Sequence, residues 1–130
     1  MLEEEVKNLN AKRVVIDPTS ILGMGLENDF EVRKQLYSLS LKLKKLDCTS
    51  LLTSEIVGDA PISEGVGKLS RFDVEEFVCD GVITMHYAGL GGVGDRAIRV
   101  VKMRKTDHVK GPVPIKITNE GIKVISKKYL

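Results

Sequence analysis

The stretch Arg13-Val14-Val15-Ile16-Asp17-Pro18 decides how this chain is read. A basic residue leads into three β-branched apolar residues, which end on one aspartate before Pro18-Thr19-Ser20. Such a run suits a strand buried on both faces. It delivers a carboxylate to the carboxyl end of a sheet, where α/β proteins place ligands. Asp17 is therefore the first candidate functional residue. The competing reading gives it only a turn-starting role before Pro18, which aspartate often fills.

Working outward, Leu2, Val6 and Leu9 recur at helical spacing, with Glu3, Glu4 and Glu5 early, where the helix dipole favours acidic groups. Gly23 and Gly25 mark a loop, and Asn28 with Glu31 three residues later forms a capping-box pattern. Val32, Leu36, Leu39, Leu43 and Leu46 then lie along one face of a helix of about five turns. Cys48 to Glu55 reads as a second short strand ending on polar groups. Strand, helix, strand is a right-handed crossover, so Asp17 and Glu55 should emerge on one edge of a parallel sheet.

Residues 57 to 71 read as a long exposed loop, and Val74, Phe77 and Val78 as a single helical turn. Val82 to Tyr87, Ala97 to Lys105, Val113 to Thr118 and Ile122 to Ile125 are β-like, the last two joined by Asn119-Glu120-Gly121. The second half thus looks antiparallel, appended to a parallel first half. Two glycine-rich stretches are set aside. Gly89-Leu90-Gly91-Gly92-Val93-Gly94 fits GxGxxG but leads into a strand rather than the helix a dinucleotide fingerprint must open. In Glu64-Gly65-Val66-Gly67-Lys68, Ile62 and Leu69 replace the first Gly and the Ser or Thr of a phosphate-binding loop.

The 130 residues, 42% hydrophobic and 29% charged, fit one compact globular domain. A net charge of +2 gives no argument for nucleic acid, and Lys42, Lys44, Lys45, Lys127 and Lys128 read as solvated faces. Cys48 and Cys79 have no metal-ligand spacing and read as free thiols of a reducing compartment. An acidic amino terminus and the lack of a membrane-length apolar run point to a cytoplasmic protein.

Four segments carry a resemblance: Arg13 to Asp17, Thr49-Ser50-Leu51-Leu52-Thr53-Ser54-Glu55, Cys79-Asp80-Gly81-Val82-Ile83, and Arg99 to His108. In order and spacing, from about residue 11 to residue 125, they resemble the carboxyl-terminal half of the KaiC and RecA/RadA group of hexameric ATPases, especially archaeal KaiC-like proteins. The resemblance implies a partial RecA-like α/β fold, with a mixed sheet parallel in its first part and antiparallel in its carboxyl-terminal strands. It implies ATP and Mg²⁺ as ligands, with Asp17 as the Walker B metal carboxylate acting through water. Thr53 and Ser54 would be sensor groups and Glu55 a catalytic, water-positioning group on the γ-phosphate side. Lys102, Arg104, Thr106 and His108 would reach ATP held by a neighbouring subunit, as an arginine finger does. The bland reading of Lys102 and Arg104 is a solvated pair on an edge strand.

There are departures from the family pattern. The family's GxxxxGK[ST] loop and its catalytic glutamates lie upstream of the matched region and are absent from this sequence, and Pro18 stands where relatives commonly have Ser. The expected product is a single KaiC-like carboxyl-terminal domain over residues 1–130, inactive alone, that works as a homo-oligomer or with a P-loop-containing partner chain. The alternative is a non-catalytic oligomerisation or regulatory module. A DNA-binding recombinase is disfavoured, because no aromatic-basic interleaving is present.

Overall fold

The computed structural model describes residues 2–26, 28–56, 69–92 and 94–125. The Glu64 to Lys68 stretch, most of the loop expected over 57 to 71, and Lys127-Lys128 lie outside the described residues. The chain divides into two compact units, one carrying the first two strands and the helices, the other carrying the last four strands.

The first unit runs α1 (Leu2–Asn8), β1 (Arg13–Ile16), a 3-10 turn (Thr19–Gly23), α2 (Asp29–Lys45), β2 (Thr49–Leu52) and α3 (Glu75–Val78). β1 and β2 pair in parallel, Arg13 opposite Thr49 through Ile16 opposite Leu52, with α2 as the crossover. The α2 start is set by Asn28, whose side chain accepts the Glu31 N–H at 3.0 Å. That bond satisfies one of the orphan donors of the first turn. Val32, Leu36 and Leu43 are buried along α2, while Leu39 and Leu46 are only half-buried. Ser40 is buried in the same row, and its hydroxyl donates to the Tyr37 carbonyl one turn back at 2.7 Å.

The core of this unit is Val32, Leu36 and Phe72, with Leu22, Leu26 and Val74 packed around it. Gly23 allows the 3-10 turn to approach this core closely: a methyl there would sit 3.1 Å from the Phe72 ring and 3.5 Å from Val32. The backbone of Phe72 is tied to α2 by Arg33, whose Nε donates to the Phe72 carbonyl at 2.7 Å.

One expectation is corrected. β1 is not buried on both faces: Val14 and Ile16 are half-buried, whereas Val15 is 62% exposed and its register partner Leu51 is 58% exposed. The β-branched run specifies a strand, but whether its second face is covered depends on a further layer.

The second unit is the antiparallel sheet β3 (Gly81–Tyr87), β4 (Arg96–Met103), β5 (Val113–Thr118) and β6 (Gly121–Val124), in that spatial order. The parallel and antiparallel portions expected from sequence are both present, as two hydrogen-bonded sheets. Register puts Ile83 opposite Val100, Met85 opposite Ile98, Ile98 opposite Val113 and Ile117 opposite Ile122, so these residues share one face. Thr84 lies opposite Arg99, and Lys116 opposite Lys123, on the other. The β5–β6 turn uses Gly121 at φ +111°, a conformation that side chains rarely adopt. The glycines after β3 form a hairpin loop as expected, and Asp95 pins it by accepting the Leu90 N–H at 2.8 Å and the Gly91 N–H at 3.2 Å.

Candidate functional site

Asp17 follows β1 directly and is exposed. The β1–β2 ladder continues past the strands. The Thr53 N–H donates to the Ile16 carbonyl at 3.0 Å, and the Thr19 N–H donates to the Thr53 carbonyl at 2.8 Å. These two bonds bracket the Asp17-Pro18 peptide, which is cis, and bring Thr53 alongside the carboxylate. The Thr53 hydroxyl donates to Asp17 Oδ1. Two residues separated by 36 positions thus form one polar pair at the carboxyl end of the parallel strands.

The next two residues diverge. Ser54 is half-buried, and its hydroxyl donates to Glu75 Oε1 at 3.1 Å. Glu55 is exposed and lies 3.7 Å from Arg71 Nη1. Arg71 also sits over the Phe72 ring, 5.9 Å from its centroid. Both acidic strand ends therefore emerge on one edge, as a parallel crossover requires, with Glu55 engaged by a cation and Asp17 by a hydroxyl.

Sequence reasoning missed Glu75. It is buried, and it collects donors from the Thr19 hydroxyl (3.5 Å), the Ser54 hydroxyl (3.1 Å) and the Val74 N–H (3.3 Å), and shares the Ser70 hydroxyl (2.7 Å) with Glu76. Nothing in Val74-Glu75-Glu76-Phe77 distinguishes it from Glu76. Only the fold does, by bringing up donors as distant as 56 residues.

In the second unit, Lys102 is half-buried opposite Val82, beside the irregularity between Val82 and Ile83. β4 ends at Met103, two residues before the expected Lys105, because Lys105 adopts φ +58° and turns the chain. Arg104 therefore lies just past the strand. Its N–H donates to the Asp80 carbonyl at 2.8 Å, and its Nη1 lies 2.8 Å from Asp80 Oδ1. Thr106 is exposed and its hydroxyl donates to the Arg104 carbonyl at 3.4 Å. His108 is half-buried, with its N–H donating to Asp107 Oδ1 at 2.9 Å and its Nδ1 3.1 Å from the Val109 carbonyl. This segment presents a guanidinium, two ammonium groups and an imidazole within seven residues.

The donors around Asp17 are hard oxygens, one carboxylate and one hydroxyl. That set fits a magnesium ion that keeps most of its water, rather than a caged metal. Among the described residues no group of three or more His, Cys, Asp or Glu could hold an ion by itself. Cys48 and Cys79 are half-buried and not joined in a disulfide. No helix among the described residues is long and apolar enough to cross a membrane.

The family model for the KaiC ATPase matches residues 1–129. The chain belongs to the KaiC ATPase family. It is 33% identical over 123 residues to the circadian clock oscillator protein KaiC 1 of Synechocystis sp., a match covering 95% of this chain and 22% of that protein. It is 34% identical over 123 residues to the circadian clock oscillator protein KaiC of Nostoc sp., with the same coverage. Among solved structures it resembles a KaiC-like protein from the hyperthermophilic archaeon Pyrococcus horikoshii OT3, with a TM-score of 0.77 and 34% identity. That match covers 96% of this chain and 54% of the archaeal one. This KaiC-family chain thus spans about half of the archaeal structure and less of the curated relatives.

Proposed function

We propose that this KaiC-family chain contributes one side of an ATP site whose phosphate cradle lies outside these 130 residues. Asp17 holds a magnesium ion through water. Thr53 and Ser54 sense the γ-phosphate side, and Glu55 positions the attacking water. Lys102, Arg104, Thr106 and His108 reach ATP bound by a neighbouring copy. The observation that carries the reading is the Asp17–Thr53 pair, built at the carboxyl end of a parallel strand pair where phosphate chemistry is usually placed. Arg104 fits the trans role because its guanidinium is half-exposed and already organised by Asp80. On meeting a phosphoryl group it exchanges one anionic acceptor for another.

The chain has no backbone loop and lysine of the P-loop pattern, so its own affinity for nucleotide should be poor. Isothermal titration of the isolated chain with MgATP tests this, and tight stoichiometric binding refutes it. In an assembly that includes the P-loop, Arg104→Ala should lower hydrolysis by about 1,000-fold, the lower end of arginine-finger effects.

A second reading, a non-catalytic oligomerisation or regulatory module, is favoured by the apolar pair Val15 and Leu51 standing open on the strand face. The double substitution of Asp17 and Arg104 by Ala separates the two. A scaffold still assembles by light scattering, whereas a nucleotide-linked function fails.

A further inference from the structure

We propose that Glu75 is a positioning residue that sets the spacing between the Asp17 turn and Thr53. The inference rests on the reading of Asp17 as a magnesium carboxylate. Glu75 is 7% exposed, and a carboxylate that deep is costly to keep unless its lone pairs are filled. Here the Thr19 and Ser54 hydroxyls and the Val74 amide fill them, with the Ser70 hydroxyl shared between Glu75 and Glu76, and these groups come from three separate segments.

The two carboxylate oxygens divide the work. Oε1 accepts from Thr19, two residues beyond Asp17 and 0% exposed, and from Ser54, one residue beyond Thr53. The two strand exits that carry the candidate site therefore meet on one atom. Oε2 accepts from the Val74 N–H and shares the hydroxyl of Ser70, itself 4% exposed, with Glu76 Oε2, which fixes the carboxylate to the segment leading into α3. A two-stranded pair four residues long is weakly held by its own ladder, so an external tie at its end governs the geometry there. Positional errors of about 1 Å in a site of this kind are expensive for function.

The test uses the full chain, with Mn²⁺ as a paramagnetic probe read by NMR. In the wild type, Mn²⁺ should broaden amides around Asp17, and Asp17→Asn should abolish the effect. Glu75→Gln keeps the shape and one accepting oxygen but turns an NH₂ toward former donors. It should raise amide exchange at Thr19 and Thr53 about tenfold, with Leu36 and Leu43 in α2 unchanged. The Mn²⁺ dissociation constant at Asp17 should rise by about the same factor. Thr19→Val, which removes a single donor, should move both readouts the same way by less, and it decides the matter if Glu75→Gln unfolds. Unchanged exchange at Thr19 and Thr53, or acceleration spread equally through α2, overturns the inference. A wild-type Mn²⁺ response undiminished in Glu75→Gln overturns the inference alone, whereas no response in the wild type overturns the metal role of Asp17 as well.

Discussion

Leu36→Ala tests whether the α2 core supports the site. Leu36 is 1% exposed and sits with Val32 and Phe72 at the centre of the first unit. Truncation removes three carbon groups, worth about 0.8 kcal/mol each in transfer free energy, or about 2.4 kcal/mol. A cavity term adds to this, giving about 3 kcal/mol, near the low end of measured buried Leu→Ala losses. With a urea m-value of about 1.5 kcal/mol/M, the midpoint should fall by about 2 M. The assay is urea denaturation followed by NMR through the amides of Thr19 and Thr53, which report the strand exits beside this core. Tyr37→Ala, one position along but 54% exposed, is the control and should change stability by no more than about 0.5 kcal/mol. A loss under about 1 kcal/mol for Leu36→Ala, or an equal loss for Tyr37→Ala, refutes the assignment of the buried face.

Asn28→Ala removes the α2 cap and should cost about 1 kcal/mol, seen as a lower Tm by circular dichroism. Arg104→Ala should change stability by less than about 1 kcal/mol in urea melts, because its pair with Asp80 is half-exposed. A loss above about 2 kcal/mol would make the pair structural and weaken the case for a cation free to change partners. Asp95→Ala should release the Leu90 and Gly91 amides to fast hydrogen exchange while β3 and β4 keep their protection.

Local signals were read most successfully. The β-branched run at Arg13, the Asn28 cap with its Glu31 partner, the leucine stripe of α2 and the Asn119-Glu120-Gly121 turn each follow from neighbours within one or two helical turns or one hairpin. The parallel pairing of β1 and β2 followed from connection length, since a helix-sized crossover admits little else. Burial was less legible. Val15 and Leu51 have the character of core residues and are exposed, because no layer covers their face among the described residues. Ser40 has the opposite character and is buried, satisfied by the Tyr37 carbonyl one turn away. Arg104 was assigned to the strand because alternation with Lys102 persists by letter, while the positive φ at Lys105 has no letter of its own. Glu75 was missed because its role consists of partners 56, 21 and 5 residues distant, and no local pattern encodes that convergence.

The crossover that joins β1 to β2 also fixes an order of events. Asp17 and Thr53 lie 36 residues apart, and the chain between them is largely α2 and its flanks. Bringing those ends together carries a loop-closure entropy that no local contact repays until the helix has formed and shortened the path. The polar pair is thus a late product of folding. A nascent or partly denatured chain therefore carries the aspartate without its hydroxyl neighbour.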